Sequence, residues 1–308
     1  MGTLPPGVQP DYPLARLTTV RTGGTAEFFA RTATAEQLTA LLAWARDHGH
    51  QVGVVGSGSN LLVADEGVRG VVMKLDKDLA QIERDGTQLA CGGGARLPAV
   101  SARAANAGLT GIEFGVNIPG TVGGAVRMNA NAYGGELAQV LDHVDVATAE
   151  GVERRTPDQL GFAYRRSNLK GGEIVARASF KLAPAPVERV KATLAEMRAK
   201  RKAAQPSGIK TFGSTFRNPP DDDPRAEGRT AGQLLDAAGC RGLRVGGAGF
   251  SEKHANFVEN HGRASTGDVL ALMAEGRRRV HERFGIVLEP EVQTLGDVAW
   301  PADWELSP

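Results

Sequence analysis

The sequence predicts an α+β chain, with two α/β pieces in its first half and a smaller α+β piece after them. Three observations predict it. Short apolar runs of strand length alternate with segments that repeat apolar residues at helical spacing. Two glycine-rich stretches, residues 55–60 (VGSGSN) and 112–136 (IEFGVNIPGTVGGAVRMNANAYGGE), interrupt the first half. Pro184 and Pro186 then mark a boundary, beyond which the patterning changes.

The chain opens with a proline-rich stretch, four prolines in residues 1–13 and no regular period, so residues 1–17 are expected to be a tail. A short strand is expected over 26–30. Residues 34–48 read as a helix: Thr34 and Gln37 have capping-box spacing, Leu38, Leu41, Leu42 and Ala45 share a face, and Gly49 ends it. Strands are expected over 51–55 and within 67–75. Asn60 is expected to fix the turn after the first glycine stretch through bonds to backbone.

A second piece starts near Asp76. Residues 79–84 and 87–90 suit a hairpin around Asp85-Gly86. Residues 97–107 suit a helix of small residues, and 141–147, 151–155 and 173–182 further strands. After the boundary, 187–205 reads as a helix with Val187, Val190, Leu194 and Met197 on its apolar side and basic residues suited to its C-terminus. Residues 211–216 read as a strand or its approach. Helices are expected over 230–238 and 266–284, the latter capped by Thr266 with Val269, Leu270, Met273 and Val280 inward. Short strands are expected at 242–246, 257–259 and from 286. Residues 299–308 read as a second tail.

Composition narrows the function classes. The chain has 308 residues, 41% hydrophobic and 23% charged, which suits a soluble globular protein of two or three domains. Thirty-six basic against 35 acidic residues leave +1, so no bulk charge draws nucleic acid. Cys91 and Cys240 form neither a disulfide framework nor a metal-ligand pattern. The Asp221, Asp222 and Asp223 run reads as a surface acidic turn, and no metal is expected. No secretory signal and no apolar run of membrane-spanning length are legible. A cytoplasmic monomer without membrane insertion is the expectation.

Glycine lets backbone approach a ligand closely, and a helix start presents N–H groups to anions. Residues 121–128 are expected to begin a short helix whose first N–H groups face outward, as a diphosphate site. Two such glycine stretches suggest one elongated anionic ligand. Neither stretch is GxGxxG or GxxxxGK[ST], so neither alone identifies it.

VGSGSNLLVADEG followed by IPGTVGGAVRMNANAYG resembles the cofactor half of the UDP-N-acetylenolpyruvoylglucosamine reductase (MurB) family. YRRS at 164–167, GSTFRNP at 213–219, SEKHANF at 251–257 and LEPEV at 288–292 complete the likeness in the family's order, from about residue 18 to 296. The resemblance implies a two-part FAD-binding module of the vanillyl-alcohol-oxidase/PCMH-like type over 18–75 and 76–186. A substrate domain over 187–298 follows. The short span from Leu182 to Gly213 suggests the type II form, which lacks an insertion there.

The implied reaction is reduction of UDP-N-acetylglucosamine enolpyruvate to UDP-N-acetylmuramate, in peptidoglycan precursor synthesis. NADPH is the implied hydride donor and FAD, bound noncovalently, the relay. The resemblance places FAD on Val55, Gly56, Ser57, Gly58, Ser59, Asn60, Pro119, Gly120, Thr121, Gly123, Gly124 and Ala125.

Ser214 matches the family's catalytic serine as proton donor to C2, and Arg165 its active-site arginine, whose fork suits the carboxylate. Arg166 adjoins it. Glu291 matches the terminal carboxylate. Glu289 shares its face on one strand, so alternation does not choose between them; the motif position favours Glu291. Asn218, Lys253 and Asn256 are substrate candidates, amides for polar groups and lysine for a diphosphate. His254 is assigned no acid–base work. Asn131 and Arg217 stand where the family frequently has glycine and lysine. Two other readings stay open: another FAD-dependent oxidase or dehydrogenase of the same fold, and a non-catalytic nucleotide-sugar-binding flavoprotein.

Overall fold

Helix α1 (Ala35–Asp47) forms where capping chemistry and apolar period coincide. Thr34 accepts from the Gln37 N–H, and Leu38, Leu41, Leu42 and Ala45 are all buried. Gln37 reaches past the cap to accept from the Ala33 N–H at 3.0 Å. The computed structural model of the chain describes residues 4–206, 208–301 and 304. They form two compact units. One comprises Met1–Tyr12, Glu27–Ser57 and Arg69–Arg201; the other comprises Pro13–Ala26, Gly58–Val68 and Lys202–Pro308.

The first unit holds a four-stranded sheet in the order Val8–Pro13, Thr25–Thr32, Val68–Leu75, Val52–Val54. Its last pair is parallel, Val52 opposite Val71. A five-stranded antiparallel sheet runs Gly151–Arg155, Leu141–Thr148, Ile174–Lys181, Gln88–Gly92, Ile82–Asp85. The apolar face of α1 joins Val71, Met73, Ala147 and Ile174 in one core. Helices α2 (Leu97–Asn106) and α3 (Val122–Arg127) contribute to a second core with Leu89, Val144 and Phe180. Helix α4 (Val187–Ala204) buries Val190 and Leu194 against Ala105 and Val116.

Two expectations change in this unit. The stretch read as a tail contains the edge strand Val8–Pro13, and Tyr12 stacks on Phe29 with ring centroids 4.0 Å apart. Proline is tolerated on a sheet edge, where the missing N–H costs no ladder bond. Residues 1–3 of that stretch lie outside the described residues. The 82–92 hairpin closes on Asp85 opposite Gln88, so its two turn residues are Gly86 and Thr87, one position later than expected.

The second unit packs α5 (Ala231–Ala237) and α6 (Thr266–Phe284) on a three-stranded antiparallel sheet of Arg244–Val245, Ala248–Phe250 and Val258–Asn260. The middle strand, rich in glycine and alanine, has no sequence signature. Strand Gln293–Leu295 pairs in parallel with Leu61–Val63. The cap of α6 is Ser265, which exchanges bonds with Asp268, not Thr266. Thr266 is buried, and its hydroxyl donates to the Val63 carbonyl at 2.6 Å. Trp304, in the stretch expected as a tail, is buried, stacks on Trp300 at 5.3 Å and lies under the Arg277 guanidinium at 4.7 Å. Residues 302, 303 and 305–308 of that stretch lie outside the described residues.

Candidate active site and cofactor turn

In the first unit the two glycine stretches meet. A Cβ on Gly56 would lie 2.4 Å from Thr121 Oγ1, so only glycine fits there. Val55, buried, donates to the Met73 carbonyl at 2.9 Å and ties the turn to the sheet. The Lys74 ammonium donates to the Gly56 carbonyl. Burial pushes the pKa of Lys74 down from its ordinary value, Arg31 and Arg96 add to that shift, and Asp76 opposes it.

The expected helix forms as α3, with Thr121 as its cap, but its first N–H groups do not face outward. Val122 donates to the Ala95 carbonyl at 2.8 Å, Gly123 to the Gly93 carbonyl at 2.7 Å, and Gly124 to Thr121 Oγ1 at 3.4 Å. A six-residue helix also has little macrodipole to offer. The available donors lie on the other stretch: the N–H groups of Ser57, Gly58 and Ser59 meet no acceptor among the described residues. Pro119 leads into Gly120, whose carbonyl accepts from Leu97 at 3.0 Å, and Ala125 closes the first turn of α3 on the Thr121 carbonyl. Within the first unit, the close-packed turn with its open Ser57 N–H and a lysine behind it fits a phosphate of FAD.

Arg165 sits at the tip of a two-residue hairpin, because Ala163 and Arg166 exchange both backbone hydrogen bonds at 3.1 Å. Its φ is +56°. Arg165 Nη1 donates to the Asn131 carbonyl at 3.3 Å, and the guanidinium lies 5.4 Å from the Tyr164 ring centroid. Arg166 is exposed. Asn129 and Ser167 fasten the hairpin, to Ala163 O at 3.2 Å and Arg127 O at 2.9 Å. Asn131 lies in the extended strand Asn131–Ala132, and positive φ in this segment falls on its neighbours Asn129 and Tyr133.

In the second unit three segments pair around Thr215. Ser214 bridges Phe257, and Phe216 bridges Pro290. Thr215 N–H donates to Asn256 O at 2.8 Å, and Thr215 O accepts from the Glu291 N–H at 2.9 Å. Ser214 is half-buried, and its hydroxyl has no protein partner among the described residues. Glu291 is half-buried, whereas Glu289 is exposed and faces Arg217, 3.5 Å away. The two glutamates flank a bridge rather than lying along one continuous strand.

Gly58, at φ +63°, closes on the same unit: a Cβ there would meet Leu17 O at 2.0 Å, while Thr19 N–H and Oγ1 both donate to Gly58 O at 3.0 Å. Asn60 reaches Glu291 O at 3.2 Å, a residue far along the chain rather than its own turn.

The substrate candidates divide. Asn256 is buried, and its amide pairs with one backbone: Oδ1 accepts from Phe216 N–H at 2.9 Å and Nδ2 donates to Phe216 O at 2.8 Å. It braces the Ser214 segment. Asn218 Oδ1 accepts from Ala231 N–H at 3.1 Å, supporting α5. Exposed Lys253 donates to Lys202 O at 2.7 Å. His254 accepts the Asn256 N–H at 3.3 Å, and burial holds its pKa below the ordinary value. It is a loop support, neutral near pH 7.

Lys74 is a residue that sequence reasoning passed over. Its signal was a charged residue inside the apolar run GVVMKL. Among the described residues no group of three or more His, Cys, Asp or Glu side chains could hold a metal ion, and no helix is long and apolar enough to cross a membrane.

A family model described as FAD binding domain matches residues 26–156, and one described as UDP-N-acetylenolpyruvoylglucosamine reductase, C-terminal domain, matches residues 205–295. The first contains both glycine stretches; the second contains Ser214, Asn218, Lys253, Asn256 and Glu291. The UDP-N-acetylenolpyruvoylglucosamine reductase of Anaeromyxobacter dehalogenans (strain 2CP-C) is 46% identical over 287 residues, 93% of this chain and 85% of that protein. The reductase of the same name from Rhizorhabdus wittichii is 46% identical over 301 residues, 96% of this chain and 95% of that one. The crystal structure of the Thermus caldophilus reductase superposes with a TM-score of 0.80 at 38% identity, covering 96% of this chain and 99% of its own.

Proposed function

The chain belongs to the UDP-N-acetylenolpyruvoylglucosamine reductase family of FAD-dependent oxidoreductases, and from that premise we propose that it reduces UDP-N-acetylglucosamine enolpyruvate to UDP-N-acetylmuramate with NADPH. The observation that carries the reading is the pairing of Ser214 and Glu291 segments across Thr215, which sets a hydroxyl without a protein partner among the described residues and a carboxylate on neighbouring extended segments.

FAD, held noncovalently by residues 55–60 and 119–125, would when bound supply the hydride chemistry, taking two electrons from NADPH for delivery to C3 of the enolpyruvyl group. The chain's own residues complete the addition. Ser214 gives its proton to C2, so the double bond gains one hydride and one proton. Developing charge on the enolpyruvyl carboxylate is held by Arg165, whose planar fork matches two oxygens. Glu291 works with Arg165 to set the polarity around the alkene. Lys253 serves the substrate diphosphate and Asn218 a polar group of the nucleotide sugar, leaving Asn256 as the brace beneath Ser214.

In this reading residues 18–75 and 76–186 serve the cofactor, and 187–298 serve the substrate. The stretch from Leu182 to Gly213 is occupied by a short strand, α4 and one connection, which supports the short type II form. The product places the enzyme in peptidoglycan precursor synthesis, and thereby in cell-wall biogenesis, cell shape and division. A cytoplasmic monomer is part of the same proposal.

The test is spectroscopic. Under anaerobic conditions NADPH should bleach the flavin, and UDP-N-acetylglucosamine enolpyruvate should restore the oxidised spectrum. Reduction without reoxidation by this substrate would point to a different flavin dehydrogenase, and a bound flavin that NADPH leaves oxidised would point to a non-catalytic flavoprotein.

A further inference from the structure

Lys74 lies in the strand Val68–Leu75, where Val71, Val72, Met73 and Leu75 are buried. A charged side chain in such a run needs a partner, and its ammonium has one in the Gly56 carbonyl. The structure contains no cis peptide among the described residues, so the carbonyl of Gly56 and the N–H of Ser57 point in opposite directions. Fixing that carbonyl on Lys74 therefore turns the Ser57 N–H away from the strand, where it meets no acceptor among the described residues. Thr121 abuts Gly56: a Cβ there would lie 2.4 Å from Thr121 Oγ1.

We propose that Lys74 is a positioning residue for the cofactor diphosphate: it locks the Gly56–Ser57 peptide so that the Ser57 N–H faces a phosphate oxygen, and it sets a positive charge behind that N–H. The proposal rests on the reading of residues 55–60 as the FAD turn. Its charged surroundings are Arg31, Asp76 and Arg96, and Arg31 is already drawn to Asp76 at 3.6 Å. A lost Lys74 charge therefore has no obvious replacement from Arg31.

The experiment uses the full chain freed of flavin. FAD affinity is read by quenching of flavin fluorescence, and ADP affinity by competition, for the unaltered chain and for Lys74→Met, Lys74→Gln and Lys74→Arg. Lys74→Met should weaken FAD and ADP by a similar factor, about 10- to 100-fold, the scale of a hydrogen bond to a charged group. Lys74→Arg should recover most of the loss, and Lys74→Gln, a neutral donor, should fall between. FAD binding by Lys74→Met within about twofold of the unaltered chain would overturn the proposal. So would a loss for FAD with none for ADP. If Lys74→Met does not fold, Lys74→Gln binding FAD as tightly as Lys74→Arg overturns the charge argument. Failure of the unaltered chain to bind FAD would overturn both this proposal and the functional reading beneath it, whereas failure of the Lys74 variants to differ overturns this one alone.

Discussion

Glu291 and Thr215 are joined by one backbone hydrogen bond, Glu291 N–H to Thr215 O at 2.9 Å, and the opposite edge of Thr215 donates to Asn256 O at 2.8 Å. Thr215 is fully buried between the two. The Ser214 segment is thus the middle of three extended pieces, fixed on both sides before any ligand is considered.

Ser214→Ala should leave FAD bound and reducible by NADPH, because hydride transfer from nicotinamide needs no proton from this serine. Reoxidation by the enolpyruvyl substrate should slow by about 10²–10⁴-fold, the usual scale of a lost general acid. Stopped-flow traces of the two half-reactions separate these effects. Near-normal reoxidation with intact substrate binding would reject Ser214 as the proton donor.

Asn256→Ala leaves the Phe216 N–H and carbonyl buried without their partner. A loss of about 2–6 kcal/mol of stability is expected, from about 1–3 kcal/mol for each of the two unsatisfied groups. Asn256→Asp keeps the acceptor for the Phe216 N–H but sets a carboxylate oxygen against the Phe216 carbonyl, so near neutral pH it should cost at least as much. Urea unfolding measures both; an alanine variant as stable as the unaltered chain would mean the brace contributes nothing.

The flavin should come free when the holoenzyme is precipitated with acid. Covalent attachment through sulfur needs a thiolate, and the two cysteines are poor sources. Burial pushes the Cys91 thiol up to about 12 and the Cys240 thiol up to about 11, so both are neutral near pH 7. Neither 55–60 nor 119–125 contains histidine. A yellow pellet with a colourless supernatant would contradict noncovalent binding.

Glu275 bridges Arg278 at 2.8 Å and Arg279 at 2.7 Å along α6. The hydrogen bonds from these guanidinium groups hold its pKa down at about 2 from 4.5. A depressed carboxyl pKa gives stability that is complete above the unfolded value and is lost as pH falls through the folded one. Glu275→Gln should therefore cost about 0.5–1 kcal/mol near neutral pH, as suits pairs on a helix surface. The gap should close between pH 4.5 and about 2. Paired urea titrations across that window test it, and a gap independent of pH would assign the loss to something other than charge.

Local chemistry was legible in the sequence because its partners lie within one turn of each other. Thr34 and Gln37 mark the start of α1, and the inward residues of α1 and α6 follow from spacing alone. The motif residues Ser214, Arg165 and Glu291 were likewise nameable from short contiguous strings. Tertiary structure decided what those strings could not hold. Arg165 and Arg166 look alike as neighbours, yet a hairpin turns one onto Asn131 and leaves the other exposed. Glu289 and Glu291 separate only because Arg217 and Thr215 pair with different residues beside them. The first N–H groups of α3 look free in sequence, but the carbonyls that take them belong to Gly93 and Ala95, on the strand side of the fold. Asn256 became a brace and Lys74 a support for Gly56 for the same reason. A hydrogen bond between residues far apart in the chain depends on which backbones the cores bring together, and no spacing in the sequence records that.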